Sequence, residues 1–319
     1  MKDIVFEKDR LRLVLEVPEG NERSTLRFDA ACRVKEIVLD GKYSFGTSEQ
    51  IKEGRVSANG FGLSAEFSVP EDLLSLKEGE WFTKPGVGLL CQLKDGMPFY
   101  IFGDYKAKTF KMDIKQEEDG FTFTQSPETG EKETPAFPIE ITKKLSVTGN
   151  KILIKTVIAN AGKKDININE YQHNFFNANG KPIGPDYKMT VPFAKSLESE
   201  SFIFDKTDEH GIVCGKAESP ISVKGNEISW TKNVEGLNIF LELPKSRLVD
   251  ESEAKFPDFY YELKDTIEGL SVRESGSFFP EKITIWGTDH VMCAENFVKI
   301  SLRPGKVQTY TRVWEFDKN

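Results

Sequence analysis

A chain of 319 residues that is 38% hydrophobic can bury a sizeable core, and its 24 Phe and 4 Trp favour strands. A net charge of −8, with both signs spread along the chain, argues against nucleic acid or an anionic membrane surface as partner. The four cysteines (Cys32, Cys91, Cys214, Cys293) lie far apart with no C-x-x-C pair, so they indicate neither a zinc site nor a redox motif. The amino-terminal stretch MKDIVFEKDRLRLVLEV is charged from Lys2 and has no apolar signal region. No apolar run approaches the ~20 residues of a membrane span. The expectation is a soluble, reduced, cytoplasmic protein.

In chain order, Arg10 to Val17 alternates, with Leu11, Leu13, Leu15 and Val17 on one side and Arg10, Arg12 and Glu16 on the other, as a half-buried strand does. Leu26 to Leu39 continues as strand and turns at Asp40-Gly41, a hairpin signal. Residues 55–69 read as a Gly-rich strand or bulge pair, and Pro70 to Leu76 as one short helical turn. Trp81 to Leu93 runs to a turn at Asp95-Gly96, followed by short strands at Phe99 to Tyr105, Phe110 to Ile114 and Phe121 to Gln125. Ser126 to Pro138 is polar, contains proline and reads as a long loop. Ile139 to Val147 and Lys151 to Asn160 are strands about a Gly-Asn turn. Further strands fall at Phe202 to Phe204, Ile221 to Val223, Glu227 to Trp230 and Leu237 to Leu243, before a charged loop at Asp250 to Phe259. Thr284 to Trp286, Val291 to Leu302 and Gln308 to Phe316 close the chain. Short strands, frequent turns, no amphipathic helix and no linker predict an all-β sandwich or barrel forming one domain over 1–319. No fixed-period repeat supports a propeller.

Between these strands lies the most unusual stretch, Asp165 to Phe193. Ile166 and Ile168 point to one face of a strand, and Asn167, Asn169, Tyr171, His173 and Phe175 to the other. An apolar back with a row of amides, a phenol, an imidazole and an aromatic ring in front suits the floor of a polar ligand cleft. Of the three histidines, His210 sits in a charged turn, His290 at the mouth of a late strand, and His173 in this row. Taken as a lone histidine, His173 is better explained by a hydrogen-bonded structural role. The pair Gly60-Phe61-Gly62 and Ala65 formally fits a dinucleotide fingerprint, but no βαβ unit surrounds it, and glycine bulges account for it better. No G-x-S-x-G, H-E-x-x-H or P-loop is present.

Tyr171-Gln172-His173-Asn174-Phe175-Phe176-Asn177 resembles the T-N-H-x-Y-F-N segment of the aldose 1-epimerases (galactose mutarotases). Val291 to Phe297 resembles that family's hydrophobic strand ending in a single Glu, here Glu295, and Arg303-Pro304-Gly305 with Tyr310 to Phe316 resembles its closing strand. The first-third N-R-I and L-H-G-G segments of the family are missing, and Asn296 replaces the Pro that usually follows the Glu. The resemblance implies a β-supersandwich, two large antiparallel sheets with a sugar on one concave face. It implies mutarotation, in which a base takes the anomeric hydroxyl proton while an acid protonates the ring oxygen. Carried over, Glu295 is the base and His173 the acid, with no cofactor.

Around this pair, Tyr171, Asn174, Phe175, Tyr187, Trp286 and His290 are candidate sugar contacts, and Arg55, Glu66 and Lys84 candidate lining from the first third. The aromatic ones are more often explained as core. No metal is signalled, although Asp186 and Asp289 offer carboxylates for calcium outside any recognised loop. The expected partner is a small-molecule sugar, with no nucleic acid or membrane, on a monomer or homodimer. Beside a weaker option, a supersandwich domain from a polysaccharide lyase or glycoside hydrolase, for which no second carboxylate partner of Glu295 is nominated, two alternatives stay open. One is a non-catalytic carbohydrate-binding or regulatory module on the same fold. The other is a hexose-phosphate epimerase whose phosphate would meet Lys143, Lys144 or Arg55.

Overall fold

Side-chain alternation governs the long strands. Ile139–Thr148, Lys151–Asn160 and Val307–Lys318 each alternate buried with exposed or half-exposed residues, as strands with one face on a core must. They lie within a ten-stranded antiparallel sheet, flanked on one side by Gly120–Gln125 and Met112–Gln116. On the other side follow Leu270–Gly276, Tyr260–Asp265, Tyr187–Thr190, Glu227–Trp230 and Ile221–Lys224. The computed structural model describes residues 1–20, 22–50, 57–69, 75–95, 105–126, 138–252 and 260–319. Among them there is no α-helix; single 3-10 turns lie at Ser199–Ser201 and Lys245–Arg247. Among the described residues no helix is long and apolar enough to cross a membrane.

A second sheet faces the first. It orders Lys2–Lys8, Leu11–Val17, Arg33–Leu39, Leu63–Phe67, Ile166–Asn174 and Val298–Leu302, with Tyr43–Ser44 beside Arg33–Leu39. A five-stranded sheet of Val213–Lys216, Ile203–Thr207, Leu237–Pro244, Lys282–Thr288 and Val291–Asn296 continues it. The two meet where the chain changes sheets at Phe297. Glu170 pairs with Val298, and an isolated bridge joins Phe176 to Met292. The same antiparallel register therefore sets His173 opposite Glu295. The core between the large sheets is made of two clusters, a larger one from Phe6, Leu13 and Leu15 through Ile152 and Ile154 to Trp314 and Phe316, and a smaller one that includes Phe67, Ile139, Ile158, Ile166, Ile300 and Tyr310.

That core contains charge. Arg312 bonds Glu170 and Glu274 at 2.6 Å each, and Lys143 reaches Asp29 at 2.7 Å and Glu170 at 3.4 Å, all buried. These groups come from both sheets and satisfy one another where water cannot reach. A small three-stranded sheet, Trp81–Lys84, Gly88–Cys91 and Lys106–Thr109, is tied to the second sheet by Lys84, which bonds Glu66 and the Phe67 carbonyl.

The expected all-β architecture of large antiparallel sheets is observed. Individual elements differ. The run 81–93 is a hairpin turning at Gly86, which has φ +79°. Only Arg33–Leu39 of the run 26–39 is strand, because the preceding segment leaves the ladder and Cys32 adopts φ +58°. The run 291–302 divides at Phe297. The expected helical turn at 70–76, strand at 99–105, and loops at 126–138 and 250–259 fall mostly outside the described residues, as does Arg55.

Candidate active site

The strand Ile166–Asn174 lies near the middle of the second sheet, and its two faces have different surroundings. Glu170 and Asn174 point into the ionic core between the sheets. Tyr171, His173 and then Phe175 line the front. The His173 and Phe175 rings stack at 4.3 Å, and Tyr171 lies 6.3 Å from His173. Phe28 and Trp286 present edges to the imidazole at 5.9 and 5.4 Å. Two glycines allow this packing. A Cβ on Gly60 would come within 2.2 Å of the Phe175 ring, and Gly62, at φ +39°, presses on the Val34 carbonyl. The G-x-G pair is thus a packing device.

Cross-strand register brings the His173 Nε2 and Glu295 Oε1 to 3.0 Å. The other ring nitrogen, Nδ1, lies 3.0 Å from Cys293 Sγ, and that thiol donates to the Asn174 carbonyl at 2.7 Å. With the S–H used on the carbonyl, Nδ1 is assigned as the N–H that points at sulfur, and Nε2 carries the lone pair facing Glu295. The strands Ile166–Asn174 and Val291–Asn296 are joined here by side chains. Asn174 Nδ2 donates to the Ala294 carbonyl at 2.9 Å, and the Arg312 guanidinium donates to that of Asn296 at 2.8 Å. The carbonyls on either side of Glu295 are therefore fixed from the core.

Burial decides the protonation of the pair. Both residues are only 5% exposed. Burial pushes the Glu295 carboxyl up to about 8, against a smaller opposing pull from Arg27. Burial, then the charge of Arg27, holds His173 well below the usual imidazole range. Burial also pushes the Cys293 thiol well above its ordinary value, which makes it a poor nucleophile. At neutral pH the pair is a carboxylic acid donating to a neutral imidazole.

Beside the pair is a second cluster. Arg27 Nε donates to Glu66 at 2.8 Å, Lys84 to its other oxygen at 3.1 Å, and the Tyr171 hydroxyl also donates to Glu66. Burial raises Glu66, but Arg27 and Lys84 together hold it down at about 2. Arg27 keeps 21% of its side chain exposed and also approaches Glu49 at 3.9 Å. Its charge is thus shared between two carboxylates beside the pair.

His173, Cys293 and Glu295 are each of a metal-ligating type. Their ligand atoms lie within 4.8 Å of one another, but they are already engaged in hydrogen bonds: Nε2 faces Glu295, Nδ1 faces the sulfur, and the thiol donates to the Asn174 carbonyl. The arrangement suits proton transfer better than ligation.

The expected site residues divide. His173, Glu295, Tyr171, Phe175 and Trp286 are brought together, and Glu66 adjoins them. Lys84 is fully buried against Glu66, so it supports the site from beneath. Asn174 points to the opposite face, as strand alternation requires of a neighbour of His173. Tyr187 is fully buried in the core on the ten-stranded sheet, its hydroxyl accepting from the Ala178 N–H. His290 is held by Asp289 at 2.6 Å and the Ser48 carbonyl at 3.0 Å. Lys143 is locked in the ionic core, and Lys144 pairs with Glu117 and Asp119, which leaves neither at the pair. Sequence reading missed Arg27, Phe28 and the role of Cys293. Arg27 and Phe28 come from an irregular segment with no motif, and Cys293 showed only as an apolar neighbour of Glu295.

No protein-family model matches the sequence, and no curated protein matches it. Solved structures do. A galactose mutarotase-like protein from Lactobacillus casei aligns at 13% identity over 99% of this chain and 100% of its own, with a TM-score of 0.58. A galactose mutarotase related enzyme from Lactobacillus acidophilus aligns at 11% identity over 99% and 98%, with a TM-score of 0.57. A galactose mutarotase-like protein from Clostridium acetobutylicum aligns at 13% identity over 99% and 95%, with a TM-score of 0.54. The chain therefore has the galactose mutarotase-like fold, in a sequence that has diverged far from those structures.

Proposed function

We propose that the protein is a cofactor-free sugar mutarotase that opens and recloses a cyclic hemiacetal with His173 and Glu295. The observation that carries this reading is the 3.0 Å contact between two buried titratable groups in one cross-strand register. Ring opening removes a proton from the anomeric hydroxyl and delivers one to the ring oxygen. A pair that holds one proton in total can do both, taking one as it gives the other, and reclosure reverses the transfer. Burial rests the shared proton on Glu295, so Glu295 starts as the acid and His173 as the base. That is the reverse of the assignment the family resemblance implies. The guanidinium of Arg27, partly buried beside the pair and bonded to Glu66, adds positive potential that favours negative charge developing on the sugar oxygens.

The enclosure of the pair by Phe28 and Trp286 also favours a second reading, sugar binding without turnover. Polarimetry on a panel of freshly dissolved reducing sugars separates the two. Catalysis accelerates the approach to anomeric equilibrium for at least one sugar. Binding without acceleration supports the second reading.

A further inference from the structure

From the geometry of the five-stranded sheet we infer a binding track for oligosaccharides, which rests on the mutarotase reading and extends it. On Ile203–Thr207, Leu237–Pro244, Lys282–Thr288 and Val291–Asn296, the back-facing residues Phe204, Ile239, Leu241, Ile283, Ile285, Met292 and Ala294 fill the core. The opposite face carries a row set by register: Ile203 pairs with Phe240, Phe240 with Trp286, and Trp286 with Cys293. Four neighbouring strands at ~4.8 Å spacing make this row about 14 Å long. It ends at the sulfur that touches His173. Ile203 is 45% exposed at the outer end, and Phe240 and Trp286 are half-buried.

Polar rows flank the apolar one. On one side Asp205 pairs with Asn238, which stands next to Thr288 in the continuing register. Among the described residues the Asn238 amide has no hydrogen-bond partner. On the other side Glu242, Thr284 and Glu295 follow one another, with Lys282 on Glu242 at 2.6 Å. A hollow of about 70 Å³ opens beside the row, lined in part by Trp286, Asn238, Thr207 and Glu49.

A strip one side chain wide, bordered by hydrogen-bonding groups, is far narrower than the apolar patches of protein interfaces. It matches a chain of pyranose rings, whose C–H faces are apolar and whose rims carry hydroxyls. Because the row leads to the acid–base pair, such a chain would present its reducing end there. The substrate class is a reducing oligosaccharide of two or three rings.

The test is calorimetric titration of the full chain with reducing gluco-, galacto- and manno-oligosaccharides of one to four rings. Anomer exchange of the single-ring sugars is measured in parallel. In at least one series affinity should rise roughly three- to tenfold with each of the second and third rings, the value of a good aromatic contact. Phe240→Ala should flatten that rise. Ile203→Ser, at a position exposed enough to tolerate it, should weaken only the longer members. Affinity independent of length, an unchanged rise in both variants, or no binding at any length overturns the track. If anomer exchange is present without length dependence, the track alone falls. Length dependence without exchange keeps the track and removes the acid–base reading.

Discussion

His173 is defined by what each of its nitrogens faces. Cys293 is the residue that orients it, and the thiol is too buried to react. Replacing Cys293 by Ala removes the acceptor at Nδ1 and frees the ring to change tautomer. We expect ¹⁵N NMR of the wild type at pH 7 to report a single Nδ1–H form, and Cys293→Ala to report a mixture. An unchanged tautomer in the variant would remove this role.

The raised Glu295 sets a pH dependence. Its carboxyl is at about 8 in the fold against an ordinary value of 4.5. Its contribution to stability is thus fully present below about pH 4.5 and is lost progressively as pH rises to about 8. Glu295→Gln avoids this loss, so its urea midpoint should exceed that of the wild type at pH 9. The gap should close towards pH 5. Its upper bound is about 5 kcal/mol, at ~1.4 kcal/mol for each tenfold change in proton affinity. Equal midpoints at pH 9 would show that the carboxyl is not raised. The proposed turnover, which needs the shared proton, should fall above about pH 8 for the same reason.

At the scale of elements, the two strands that carry the pair are joined by Asn174 and Arg312 rather than by a regular ladder. Arg312 also holds Glu170 and Glu274 inside the core. Arg312→Ala would leave both carboxylates buried with lost partners, so we expect a loss of about 3–5 kcal/mol in chemical denaturation. A loss under about 1 kcal/mol would mean that water or rearrangement replaces the guanidinium. This scale also explains what the sequence could convey. Strands with clean alternation and flanking turns, such as Lys151–Asn160 and Glu227–Trp230, were legible to the residue. Lys2–Lys8, an exposed edge, and Leu270–Gly276, polar in its second half, were not, because their pairing depends on neighbours distant in sequence. The polar row on Ile166–Asn174 was visible as period-two chemistry. The placing of Arg27 and Phe28 in front of it was not, since an irregular segment carries no period to read.

For the whole molecule, a core between two large sheets supports a second sheet whose other face carries the buried pair. The pair lies where that sheet's two parts join, and the chain change at Phe297 is what sets Glu295 opposite His173. Likeness of fold at 11–13% identity does not establish activity, so the claim depends on the pair itself. The most direct measurement is exchange between the α and β anomeric protons of reducing sugars, followed by NMR at pH 7. Wild type and Glu295→Gln should be compared side by side. The account predicts exchange roughly 10²-fold or more above buffer with the wild type, and loss of most of that acceleration in the variant. Wild-type exchange no faster than buffer across the panel, or a variant as fast as the wild type, would contradict it.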